Sequence, residues 1–237
     1  MSRIFEELDR QSTPIGEISL RRRLEPTLLV DLFEVKIGDD GLMSSLITDG
    51  EVAVSTLGLA ATSNPSLDVL VGGLGLGYTA GAALLDERVR SLRVVEALEP
   101  VIDWHRRHLV PMAQTLTDDP RCEFVAGDFF DIAAAGFAMD DGGPGSFDAI
   151  LVDIDHSPRH LLDPKNAAFY VQPGTEIVAR SLRPGGVFSL WSNDPPDDDY
   201  LAVLGDVFHV STAEIVTFAN PLTGVDTSST IYVATVS

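Results

Sequence analysis

Leu67-Asp68-Val69-Leu70-Val71-Gly72-Gly73-Leu74-Gly75-Leu76-Gly77-Tyr78-Thr79, continuing as AGAALLDERVRSLRVVE to Glu96, decides the fold of this chain. An apolar run, Val69 to Val71, leads into glycines at 72, 73, 75 and 77. Small residues with helical patterning follow, near 78–87, and a second apolar run over 92–96 ends on Glu96. The order is strand, Gly-rich turn, helix, and a strand tipped with an acid. Glycines let the backbone turn tightly and approach a ligand closely. An acid about twenty residues beyond the turn is placed to accept two hydrogen bonds from a ribose diol. The unit therefore reads as a nucleoside pocket. No Gly-Lys-Ser/Thr sequence is present to cradle phosphates in the P-loop manner.

Outward from this unit the pattern alternates. Strands are predicted at 68–72, 92–96, 122–126, 148–153 and 186–191, with helices near 78–87, 100–116 and 167–182. Alternation of this kind implies parallel strands joined by right-handed crossovers. A short helix at 200–207 precedes Glu214–Phe218 and Thr230–Val236, two closing strands without a full helix between them, so one is expected antiparallel. The fold class is α/β: a doubly wound, mostly parallel, seven-stranded sheet. Ligands bind beyond the carboxyl ends of such strands. Those ends are Gly72–Gly77, Glu96, Gly127-Asp128, Asp153–His156 and Ser192–Asp199, and four of the five carry acids.

Residues 1–25 read as an irregular or partly helical lead-in with one basic cluster, Arg21-Arg22-Arg23. Residues 27–56 read as a small antiparallel β unit with turns at Gly38-Asp39-Asp40-Gly41 and Asp49-Gly50, since Asp-Gly between strand-like runs signals a hairpin. Asn64-Pro65-Ser66 marks the boundary, giving a lead-in and β unit over 1–66 and a nucleoside-binding domain over 67–237. Asp140 to Gly145 reads as a flexible loop. The 237 residues carry a formal net charge of −20, which argues against nucleic acid as partner and would attract a cationic substrate. Cys122 is the sole cysteine, so no intrachain disulfide forms. The N-terminus lacks an apolar signal region, and the uncharged run Val69–Leu85 is short and rich in glycine, so no membrane association and a cytoplasmic location are expected.

Together, the Gly-rich turn, Glu96, Gly127-Asp128-Phe129-Phe130, Phe147–Asp153 and Leu182-Arg183-Pro184-Gly185-Gly186 resemble the S-adenosylmethionine-type Rossmann fold. Leu46-Ile47-Thr48-Asp49-Gly50, similar to a Leu-Asp-Gly hairpin, and Glu96 to Ala113, ending in Leu109-Val110-Pro111-Met112-Ala113, point to its spermidine synthase branch. The resemblance implies that Glu96 holds the ribose and Asp128, with Phe129 beside it, the adenine. The donor implied is S-adenosylmethionine or its decarboxylated form. The family's catalytic Asp-Ser-Ser-Asp-Pro reads here Asp153-Ile154-Asp155-His156-Ser157-Pro158, one residue longer. Asp153 matches the first acid, and the second falls at Asp155 or His156. Three departures stand out. Gly75 replaces the family's aspartate of the Gly-rich turn, Ala53 replaces a glutamine, and the Tyr-His-Glu segment that helps bind polyamine is missing.

Aminopropyl transfer is an in-line displacement on a carbon bonded to sulfonium. A carboxylate can orient the incoming ammonium and take its proton. Asp153 and Asp155 are the candidates, on one face if the strand continues, and His156 is an alternative base. The implied acceptor is a small cationic amine. The β unit offers an edge through which a homodimer would pair. Asp153, Asp155 and Asp194 are the oxygen ligands a magnesium ion would use, although no metal is expected. His105, His108, His156 and His160 read as surface histidines. Trp191 reads as core or as a stacking wall. Asp194 to Asp199 read as a cation-recruiting lid or as a loop capping the next helix. The leading reading is a spermidine synthase-like transferase with an altered acceptor site. A methyltransferase and a non-catalytic nucleoside-binding homologue are the alternatives.

Overall fold

Strand β5 (Leu67–Gly72) is apolar on both faces because both are covered, the mark of a central parallel strand. In the computed structural model, which describes residues 5–139 and 145–237, β5 lies at the middle of a seven-stranded sheet. The loop expected over Asp140 to Gly145 falls, from Asp140 to Pro144, outside the described residues. Beside β5 run β6 (Val89–Glu96) and β7 (Cys122–Ala126) on one side. On the other are β8 (Phe147–Val152) and β9 (Leu182–Ser192), all parallel. The last two strands, β10 (Val210–Ala219) and β11 (Asp226–Thr235), complete the order β10-β11-β9-β8-β5-β6-β7, with β11 antiparallel to both neighbours. The fold class read from the sequence is the one observed.

Two N-terminal expectations are corrected. Residues 5–25 are neither irregular nor helical: they form β1 (Phe5–Thr13) and β2 (Gly16–Glu25). With β3 (Val30–Ile37) and β4 (Asp40–Ser44) they make a four-stranded antiparallel sheet. The Arg triplet is not a bare patch, since Arg22 pairs with Glu6 at 2.7 Å and Arg23 with Glu34 at 3.1 Å across strands. Nor is Asp49-Gly50 a hairpin. It opens helix α1 (Asp49–Ala60), where the Asp49 and Glu51 carboxylates favour the positive end of the helix dipole. Helix α1 lies against β9 and β11 of the large sheet. Gly58 permits this, since a Cβ there would come within 2.8 Å of the Ser189 Cβ.

The remaining helices are α2 (Tyr78–Leu84), α3 (Glu99–Arg106), α4 (Ala113–Asp118), α5 (Phe129–Ala134), α6 (Gln172–Ser181) and α7 (Asp198–Val207). The single helix expected over 100–116 is thus two, broken where His108 takes positive φ. One core cluster joins Ile18, Leu20 and Val35 of the small sheet to Val69, Val71 and Leu92 of the large one. The Trp104 indole N–H also donates to Asp9 of β1 at 2.7 Å. No helix among the described residues is long and apolar enough to cross a membrane.

Candidate functional site

The turn after β5 is shaped by glycines that no side chain can replace. Gly73 has φ +94°, and a Cβ there would collide with the Asp153 carbonyl oxygen; Gly77 has φ +95°, and a Cβ would meet His105, Leu116 and Met112 at 2.8 Å each. His105 supports the turn from below. It is fully buried, not a surface residue, and its Nε2–H donates to the Gly75 carbonyl at 3.0 Å. Burial pushes its ring down to about 4, so it stays neutral and its proton remains on Nε2. Gly72 lies under the turn against the Phe129 ring, where a Cβ would come within 2.6 Å.

A cavity of about 790 Å³ opens above this turn, at the carboxyl ends of the strands. Gly73 to Tyr78 border it, together with Glu96, Asp128, Phe129, Asp153 and His156. Sequence-predicted residues from four strand ends therefore converge. The Glu96 carboxylate accepts from the Leu74 N–H at 3.1 Å and the Leu98 N–H at 2.9 Å, which fixes its direction while burial raises its pKa. Asp128 caps α5: one oxygen accepts from the Phe130 N–H at 2.9 Å and the other pairs with Lys165 Nζ at 2.8 Å. Partial burial would raise its pKa, but the Lys165 contact and the helix N–H groups outweigh this and lower it.

Asp153 receives the Thr79 hydroxyl at 2.8 Å, while its backbone N–H is held by Gly72. Burial raises its carboxyl to about 6 despite that hydrogen bond. Asp155 does not border the cavity. It is 1% exposed and turned inward, accepting from the Leu162 N–H at 2.7 Å, the Asn166 amide at 3.0 and 3.1 Å, and the Tyr170 hydroxyl at 2.9 Å. His156 is exposed at the rim.

Several cavity residues escaped the sequence reading, three of them close to the turn or to Asp153. Glu51 reaches the cavity from α1 and Tyr78 from α2, while Met43 of β4 lies against Gly75, its sulfur 3.2 Å from where a Cβ would stand. Leu76 also borders the cavity, so the Gly-rich turn supplies no carboxylate. The available signal for Glu51 was its place in the first turn of a helix, which the Asp-Gly hairpin reading concealed. Trp191 lines the cavity and packs against Gly50, whose Cβ would lie 2.5 Å from the indole nitrogen.

The acids considered for magnesium do not converge. Asp194 lies by a separate cavity of about 510 Å³, bonded to Ser157 at 2.6 Å and His160 at 2.7 Å. Asp197 caps α7, and Arg159 ties it to Asp199, which favours the capping reading of this loop.

Seven strands in this order, with the Gly-rich turn and the small leading sheet, match solved structures closely. Spermidine synthase from Thermotoga maritima superposes with a TM-score of 0.72 over 97% of this chain and 72% of its own, at 19% identity. The fold is that of spermidine synthase. In sequence, the chain is 30% identical over 151 residues to polyamine aminopropyltransferase 2 of Pseudomonas aeruginosa, a match spanning 60% of this chain and 39% of that protein. It is 32% identical over 136 residues to putrescine N-methyltransferase 1 of Nicotiana tabacum, spanning 55% of this chain and 32% of that one. The chain thus spans less than half the length of the curated relatives it matches, and no family model matches it.

Proposed function

We propose that this protein transfers an alkyl group from a sulfonium nucleoside to an amine nitrogen. The observation that carries this reading is one cavity that both the Gly-rich turn with Glu96 and a half-buried carboxylate, Asp153, border. The cradle fits the nucleoside. The turn leaves backbone where side chains would block it, and Glu96 is aimed by two N–H groups with lone pairs left for a ribose diol. Asp128, which borders the cavity beside Phe129, would take the adenine amino group. Asp153 orients the acceptor. The amine arrives as an ammonium ion and passes a proton to a carboxylate. Its freed lone pair forms the N–C bond while the C–S bond breaks, and that electron pair returns to sulfur to give a neutral thioether. A carboxyl raised towards neutrality by burial suits this proton transfer. The chain's further work is alignment and exclusion of water, because the sulfonium is itself reactive.

Aminopropyl transfer is the leading form, in line with the fold and the first-named relative. Methyl transfer is the second reading, and a specific observation favours it: with Gly75 and Leu76 in the turn and Met43 against it, no acid stands there to repel the carboxylate of intact S-adenosylmethionine. Calorimetric titration with both donors distinguishes them. Tighter binding of the decarboxylated donor supports aminopropyl transfer, and tighter binding of the intact donor supports methyl transfer. Binding of neither refutes the proposal.

A further inference from the structure

We propose that Glu51 is the acid that grips the acceptor, forming with Asp153 a two-carboxylate clamp for a cationic alkylamine. This rests on the reading of the cavity as an alkyl-transfer site and adds to it a residue that grips the acceptor.

Glu51 sits in the first turn of α1, and Asp153 follows β8, yet both border the same cavity. Neither has an ion-pair partner among the described residues. The cavity's one lysine, Lys165, is committed to Asp128 and Asp131, and His156 stands at the rim. Buried charges in proteins are ordinarily paired, because removing an ion from water costs far more than most folds can offset. Two acids facing one cavity without a protein cation leave that charge for a ligand to answer. Burial first, then repulsion from Asp153 and from Asp49 on the same helix, raises Glu51 to about 7. Tyr78 faces Glu51 from α2 and is itself pushed up by burial and that charge. Trp191 packs beside Gly50, one residue before Glu51, and offers an aromatic wall to the methylenes or the charge of an amine. The Gly-rich turn, which provides no acid, is thus complemented from a different element. A hydroxyl, thiol or other neutral nucleophile would leave the two acids uncompensated, so the clamp selects an ammonium ion. On binding, the ammonium proton passes to this carboxylate pair, and the neutral amine attacks as above.

The test titrates 1,4-diaminobutane into protein saturated with methylthioadenosine, using wild type, Glu51→Gln and Glu51→Asp, with nucleoside affinity measured separately. Losing a hydrogen bond to a charged group predicts diamine binding weaker by about 10- to 100-fold in Glu51→Gln. Glu51→Asp should recover part of this, and nucleoside affinity should hold in both. Glu51→Gln removes a repelled charge, so it should melt no earlier than wild type. Equal diamine affinity in wild type and Glu51→Gln, with nucleoside binding intact, overturns the clamp and leaves the nucleoside reading standing. Failure of wild type to bind methylthioadenosine overturns both.

Discussion

Removing the Asp155 carboxylate should unfold the protein far more readily than removing any acid that faces the cavity. Asp155 accepts from three separate groups, the Leu162 N–H, the Asn166 amide and the Tyr170 hydroxyl, at 2.7 to 3.1 Å, the last two in a buried setting. Tyr170 is pushed well above its ordinary range by burial and by the facing Asp155 charge, so it remains a donor at any accessible pH. Asp155→Ala strands all three donors at about 1–3 kcal/mol each. Because they share one acceptor, the losses do not add fully, and about 3–5 kcal/mol is the expected total, as for breaking a buried charged network. For a chain of this size, roughly 2–4 °C is lost per kcal/mol, so melting should fall by about 10 °C. Asp155→Asn, which keeps the shape but turns an amide N–H₂ towards a donor, should cost about half as much. Urea denaturation of both variants, with Tyr170→Phe to close a double-mutant cycle, measures the network. A loss under about 0.5 kcal/mol in Asp155→Ala, the scale of a surface substitution, would refute the reasoning. The segment so anchored carries Leu162, Asp163, Lys165 and Asn166 to the cavity wall. Donor affinity should therefore weaken in Asp155→Asn, which makes Asp155 a positioning residue.

Three further outcomes are expected. Asp153→Asn should abolish transfer while nucleoside affinity stays nearly unchanged, as read by single-turnover assay beside calorimetry; full activity would remove Asp153 from the chemistry. Glu96→Gln should weaken nucleoside binding by about 1–3 kcal/mol, and unaltered affinity would take Glu96 out of the pocket. Glu51 and Asp153 titrate above the ordinary carboxylate range in the folded chain, at about 7 and 6. Their contribution to stability is therefore full below the unfolded carboxylate range and is lost as pH rises through 6 to 7. Glu51→Gln escapes part of that loss, so its melting advantage over wild type should widen across this window, and a gap independent of pH would argue against the shifts.

The alternating sheet was legible because its strands are apolar runs whose carboxyl ends carry glycines and acids. The N-terminal sheet was not, because β1 and β2 hide their alternation under charged residues that pair across strands, such as Glu6 with Arg22. The turn between them, Thr13-Pro14-Ile15-Gly16, went unread. In α1, valines and glycines weaken local helix preference, and packing against β9 and β11 decides the outcome. Gly73 to Gly77, Glu96, Asp128 and Phe129, which border the cavity, were singled out from the sequence. Glu51 was missed with its helix, and the inward turn of Asp155 depends on Asn166 and Tyr170, whose approach no local pattern announces.

Met43 resting on Gly75 has a consequence for how such a protein diversifies. Pro14, Ile15, Ile37, Leu42, Met43, Ser44 and Glu51 wall the cavity from the leading 51 residues, whereas the Gly-rich turn, Glu96 and Asp128 come from a later, separate stretch. Exchange of the leading segment between relatives would repaint one wall while the cradle stayed intact. On the proposed function, such an exchange would alter the acceptor or the transferred group and leave the grip on the donor unchanged.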